Sequence, residues 1–224
     1  MLKVLAYSAN HITGAAIKHI CGTETKDNVN VFFVSDAREI PFYIKDKEPD
    51  YIIMDAAPRQ FFYLIYTVRR HFQSIPFVCV QERFLFSDYI CAEFFGRMVL
   101  SDYNSLLSIQ PELTPYDFIA DDIFAGPFFS GGVIQQLFRF PESCLSHDQL
   151  RNEMNAWLRE RIKWIIPSDK CMTFLDSLLN EEPLCTLKAR KNISIRQQYY
   201  YRTMVMKCIN IRSFTRDFIA SLKF

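Results

Sequence analysis

The segment Tyr51-Ile52-Ile53-Met54-Asp55 is one of two places in this chain where residue type and spacing point to chemistry. Four apolar residues run into a single acid. In open parallel α/β sheets, ligands bind outside the carboxyl ends of the strands. A carboxylate at such an end, here Asp55, is therefore either a working group or a solvated or hydrogen-bonded strand-end residue. The second place is Arg196-Gln197-Gln198-Tyr199-Tyr200-Tyr201-Arg202, followed by Lys207. On a helix, Tyr and Arg can hold phosphates and Gln can read base edges. The same tyrosines could instead pack a helix that has no nucleic-acid role.

Other reactive residue types are scattered. His11, His19, His71 and His147 stand far apart, and none lies in a nucleophile motif. His11 falls near the start of a predicted helix, where a cap or surface role is expected. Ser130-Gly131-Gly132 lacks the strand-to-helix context of a phosphate loop and reads as a hinge. Cysteines occur at 21, 79, 91, 144, 171, 185 and 208, an odd number with no C-x-x-C. That pattern suggests buried thiols in a reducing cytoplasm, with neither a disulfide frame nor a zinc site. No metal or other cofactor is expected, and no enzymatic activity.

A chain of 224 residues suffices for one large domain or two small ones, and its 50% apolar content can bury a core. A net charge of +1 does not describe a molecule basic overall. From Trp164 onward, however, ten Lys/Arg (170, 188, 190, 191, 196, 202, 207, 212, 216, 223) face five acids (169, 176, 181, 182, 217), a net +5. The opening MLKVLAYSANH has too short an apolar run for a signal peptide, and no run reaches the ~20 residues of a membrane span. A cytoplasmic protein without a membrane partner is expected.

These residues need elements to position them. Residues 1–110 alternate apolar runs (Lys3–Tyr7, Val29–Val34, Tyr51–Met54, Phe77–Val80, Met98–Leu100) with helix-length spacers (Ile12–Ile20, 37–47, Phe61–Phe72, Asp88–Phe95). Continuously apolar strands are covered on both faces, so this alternation predicts a doubly wound, five-stranded parallel sheet. A further helix is predicted over Tyr116–Phe124. The Phe61–Tyr66 run reads as core, or else as an interface patch. Glycines and prolines in 125–141 mark a domain edge. Over 147–163, Leu150, Met154, Trp157, Leu158, Ile162 and Ile165 recur at helical spacing. This predicts an amphipathic helix, either packed on its own domains or binding a partner. Ser168 is a candidate N-cap. An apolar stripe follows (Leu175, Leu178, Leu179), then a turn at Asn192-Ile193-Ser194 and helices over Ile195–Ile209 and Ser213–Leu222. The expected domains are 1–125, a linker with its helix at 126–163, and a four-helix unit at 164–224.

PSDKCMTFLDSLLNEEPLCTLKARKNISIRQQYYYRTMVMKCINI, near the carboxyl terminus, resembles the helix-turn-helix of the LuxR/NarL family of bacterial regulators and aligns to its usual line without a gap. Ser168 falls on the Thr cap, and Phe174, Leu175 and Leu178 on the first apolar helix. Leu187 takes a scaffold Ile, Ile193-Ser194 takes the "IS" pair, and Val205, Ile209 and Ile211 take later apolar positions. Glu181 replaces the family Gly, and Lys188 and Lys191 stand at usually apolar positions. Gln197 to Tyr201 replaces "T-V-K-x-H". In the same register, residues 1–125 resemble a response-regulator receiver, a flavodoxin-like fold. Asp55 takes the phospho-acceptor slot, Ser8-Ala9 the acid pair, Gln81 the switch hydroxyl and Ser101 the lysine.

The resemblance implies a receiver-like domain plus a LuxR-type helix-turn-helix, hence a transcription regulator of double-stranded DNA. Phosphotransfer needs magnesium held by hard oxygen ligands; with four of the five functional positions replaced, Asp55 is expected to be inactive. The implied DNA-binding residues are Arg196, Gln197, Gln198, Tyr199, Tyr201, Arg202 and Lys207. The auxiliary RcsA- and BglJ-like group fits best. Its members act with a full response regulator such as RcsB and often target fimbrial, capsule and virulence operons. A homodimer, or a heterodimer with a response regulator, is expected. Candidate pairing surfaces are Phe84–Phe95, Tyr103–Leu107 and the helix around Trp157. Two other readings stay open: an interaction module that sequesters a regulator without binding DNA, and a small-ligand-sensing α/β protein.

Overall fold

The computed structural model describes residues 2–23, 29–107, 144–166, 168–180, 182 and 192–224. The predicted helix at Tyr116–Phe124, the hinge at 130–132, Cys185, and Glu181, Leu187, Lys188 and Lys191 of the helix-turn-helix alignment lie outside these residues. The chain divides into two compact units: Met1–Phe84 with Cys91–Cys144, and Leu85–Ile90 with Leu145–Phe224.

The first unit is built on strands β1 (Leu2–Ser8), β2 (Val29–Val34), β3 (Tyr51–Asp55), β4 (Phe77–Val80) and β5 (Met98–Ser101). They form one parallel sheet in the order β2-β1-β3-β4-β5. Between them along the chain lie helices α1 (His11–Thr23), α2 (Ile40–Lys47), α3 (Phe62–His71) and α4 (Phe86–Phe95, whose first half, to Ile90, belongs to the second unit), and α5 (Tyr103–Leu107) follows β5. β1, β3 and β5 each run past the predicted apolar segment onto a polar residue (Ser8, Asp55 and Ser101). Backbone pairing is indifferent to the side chain, so the ladder continues where hydropathy stops. The predicted 37–47 helix is a 3-10 turn, Ala37–Glu39, leading into α2, with Pro41 near the start, where its missing N–H goes unneeded.

Alternate strand residues point to opposite faces. Val4, Ala6, Tyr51, Ile53, Val78, Val80 and Val99 pack with Ile17 of α1 on one face. Leu5, Ile52 and Cys79 are fully buried too, so the sheet is covered on both sides. At Gly14 a Cβ would overlap the Phe33 ring, so α1 approaches β2 through a glycine. Of the Phe61–Tyr66 run, Phe62, Ile65 and Tyr66 are buried, which is the core reading. Arg69, 1% exposed, ties the amino-terminal edge of the sheet together. Its Nη1 donates to the Ile75 carbonyl, its Nη2 donates to Gly96 O (2.9 Å) and Arg97 O (2.7 Å), and its guanidinium lies over the Phe77 ring. Burial lowers its pKa to about 10.

The second unit contains α6 (His147–Ile165), α7 (Asp169–Leu179), α8 (Ile195–Cys208) and α9 (Phe214–Leu222). α6 starts at a Ser146/Gln149 capping box and buries Leu150, Met154, Leu158 and Ile162. Asn155 Oδ1 accepts from the Phe224 amide at 3.0 Å. Trp157 is half-buried with Arg161 over its ring, whereas Trp164 is 80% exposed. Of the Phe84–Phe95 segment, expected to offer a pairing surface, Leu85, Phe86, Ile90, Cys91, Phe94 and Phe95 are buried.

Candidate functional site

β1, β3, β4 and β5 end along one edge of the sheet, and residues at or just beyond those ends converge on Asp55. In this strand order the winding reverses between β1 and β3, the place where open α/β sheets bind ligands. Ser8 is the register partner of Asp55 across that point. Its Oγ lies 2.6 Å from Asp55 Oδ2 and 2.8 Å from the Asn10 carbonyl. The single hydroxyl proton can serve one of them, and the charged, closer carboxylate is the stronger acceptor. Gln81, just beyond β4, donates through Nε2 to Asp55 Oδ1 at 3.0 Å. Tyr103, the first residue of α5, donates its phenol to the same oxygen in a short bond. Ser101, in the lysine slot, is buried, and its Oγ reaches the Asp102 carbonyl at 3.3 Å.

Asp55 is thus held by three neutral donors. Burial, then the hydrogen bond to Asp55 and that carboxylate's charge, push the Tyr103 phenol well above the usual tyrosine range, so it stays a protonated donor. Burial, with Asp36 and Asp55 nearby, raises Tyr7 as well. This donor set does not fit magnesium. The acid-pair slot supplies one hydroxyl, Ser8, and no carboxylate, and both Asp55 oxygens are already engaged. Among the described residues, no group of three or more His, Cys, Asp or Glu side chains is arranged to hold a metal ion. Sequence reasoning identified Asp55, Ser8, Gln81 and Ser101 as the relevant positions but missed Tyr103, whose role depends on where α5 begins.

The second candidate surface is α8. Asn192 adopts a left-handed conformation (φ 52°), and Ser194 then caps the helix. Ser194 Oγ accepts from the Gln197 amide at 3.3 Å, and Gln197 Oε1 accepts from the Ser194 amide at 2.8 Å. Gln197 is therefore occupied by the cap. Gln198 is buried and donates to the Ile193 carbonyl at 3.3 Å, and Tyr201 is buried beside Phe174. These two of the seven predicted DNA-binding residues face the core, because the helical phase that buries Val205 also buries them. Arg196, Tyr199 and Lys207 are exposed. Arg202 lies between the Tyr199 and Phe214 rings, 4.8 and 4.6 Å from their centroids. Ile195, Tyr200 and Thr203 complete the exposed face. A shallow groove beside it is lined by Arg202, Met206, Lys207, Asn210 and Phe214.

Among solved structures, one from work on conformational dynamism for DNA interaction in the Salmonella typhimurium RcsB response regulator matches with a TM-score of 0.54. It is 13% identical, and the match covers 99% of each chain. Two further RcsB structures match with TM-scores of 0.55 at 14% identity, over 99% of this chain and 97% of theirs. One holds two RcsB dimers bound to two parallel DNAs; the other is a complex of the two-component response regulator RcsB with DNA. No protein-family model matches, and no curated protein matches in sequence. The likeness is one of fold. The chain has a response-regulator-like fold, a receiver-like five-stranded α/β unit followed by a LuxR-type helical unit. No described helix is long and apolar enough to cross a membrane.

Proposed function

We propose that this protein is a DNA-binding transcription regulator that works without phosphotransfer, as a homodimer or as the auxiliary partner of a full response regulator. The observation that carries the first half is the exposed face of α8, where Arg196, Arg202 and Lys207 stand on a helix with no acidic residue. The fold shared with DNA-bound RcsB supports the same assignment. The second half rests on Asp55, whose oxygens accept from Ser8, Gln81 and Tyr103. Capsule, fimbrial or virulence operons are the expected targets on family resemblance.

Binding to duplex DNA is tested by titrating the full chain against random-sequence and enriched duplexes at several salt concentrations. Affinity should fall steeply with salt, and Arg196→Ala or Lys207→Ala should each lower the slope by about one. Unchanged slopes in both variants would place binding elsewhere. Incubation with a small phosphodonor and magnesium should leave the intact mass unchanged. A stoichiometric phosphoryl gain that Asp55→Ala abolishes would refute the second half.

A further inference from the structure

The exposed amino-terminal half of α8 is apolar and aromatic where base-reading residues stand. In helix-turn-helix units, the amino-terminal residues of the recognition helix reach base edges in the major groove. Of the side chains best suited to adenine there, Gln198 is withdrawn into the core, and Gln197 has its Oε1 taken by the cap, which leaves it without the free oxygen and amide pair that adenine needs. The outward residues are Arg196 and, exposed by 65%, 58% and 63%, the large apolar and aromatic side chains of Ile195, Tyr199 and Tyr200. The two tyrosines are not loosely presented. The Arg202 guanidinium lies over Tyr199, and Tyr200 stands edge-on to buried Tyr201 with centroids 5.8 Å apart. The cations Arg196, Arg202 and Lys207 flank the patch, so its charge complements a phosphate backbone. In the major groove, the one apolar feature that separates base pairs is the thymine C5-methyl group.

Building on the DNA-binding reading above, we infer that α8 selects its operators by apolar contact of Ile195 and Tyr199 with thymine methyl groups, with Tyr200 as a further contact. Gln-to-adenine hydrogen bonds do not contribute. The preferred sites carry thymine opposite the first two turns of the helix. Burying one methyl group is worth about fourfold in affinity.

The test starts by selecting duplexes from a random pool with the full-length protein. Each thymine of the enriched duplex is then replaced in turn by uracil, which removes only the methyl group. At two or more positions, affinity should fall about fourfold. Ile195→Ala, a change at an exposed site, should keep its circular dichroism spectrum and bind the thymine and uracil duplexes equally at one of those positions. Salt-dependent binding with every uracil substitution neutral would overturn the inference and leave the DNA-binding reading standing. Enriched sites without thymine would do the same. Failure to enrich any duplex would remove both. If Ile195→Ala and Tyr199→Ala weaken self-association and leave DNA binding untouched, the face is a protein interface and the inference is wrong.

Discussion

Tyr103→Phe deletes one hydroxyl from the Asp55 cluster and leaves the ring in place. The lost bond runs to a carboxylate, and hydrogen bonds to charged groups contribute about 1.5–3 kcal/mol. Asp55 is only partly buried and keeps Ser8 and Gln81, so the low end applies, about 1.5 kcal/mol. For a unit of this size, between small and large domains, each kcal/mol moves Tm by about 3–5 °C, so a fall of roughly 5–8 °C is expected. Calorimetry or far-UV circular dichroism can follow that transition. The chain's two tryptophans, Trp157 and Trp164, both lie in the second unit, so their fluorescence serves as an internal control that should not move. A double-mutant cycle with Asp55→Ala isolates the contact. Once the carboxylate is gone, Tyr103→Phe should cost less than about 0.5 kcal/mol. An equal cost in both backgrounds, or a single variant as stable as the parent, would refute the proposed cage.

Three further variants probe the frame. Arg69→Met strips the donors from the carbonyls of Ile75, Gly96 and Arg97, and should cost at least about 3 kcal/mol in urea unfolding of the first unit; near-parental stability would deny the staple. Ser194→Ala removes the hydroxyl that accepts from the Gln197 amide in the α8 capping box and should cost about 1 kcal/mol, with weaker DNA binding; unchanged helicity and affinity would count against a working cap. Leu158→Ala opens a cavity in a fully buried stripe of α6 and should cost about 2–5 kcal/mol, read by tryptophan fluorescence of the second unit; an unmoved transition would mean that α6 stands apart from that unit.

The sheet was legible because most of its strands are written as continuous apolar runs, and β2, despite Asn30, and β4 match the predicted bounds residue for residue. The amphipathic helix at 147–163 was legible from its period, though Trp157 reads as core by spacing and is only half-buried. Three consecutive tyrosines defeat such reasoning. Periodicity alone does not say that Tyr201 turns inward while Tyr199 and Tyr200 face out; the packing of Phe174 and Val205 decides it. Gln197 and Gln198 look like base readers until the backbone of the turn engages the Oε1 of one and the Nε2 of the other. Arg69, in the basic end of a helix, gave no sign of burial, because its acceptors come from the turn after α3 and the loop before β5. The Asp55 cluster was half legible. The slots were readable through resemblance, but the mutual fit of Ser8, Gln81 and Tyr103 around one carboxylate is a tertiary fact.

That fit changes what the first unit can signal. In a receiver that accepts a phosphoryl group, charge at the strand ends changes, and the change biases the surrounding helices. Here the carboxylate is surrounded by neutral donors, and among the described residues no set of three acidic, His or Cys ligands stands ready for an ion that could neutralise added charge. On the proposed reading, the regulator then lacks an internal switch at this site, and occupancy of DNA must be set by how much protein is present and by what it pairs with. One helix-turn-helix unit reads one half-site, and specific binding calls for two, about a helical turn or a multiple of it apart. For a weakly self-associating homodimer, occupancy at low concentration rises with the square of protein concentration. For a heterodimer it rises in proportion to each partner, and a partner's own phosphorylation enters as a change in pairing affinity. The order of the concentration dependence on a single operator, with and without a phosphorylated response regulator, therefore separates the two assemblies.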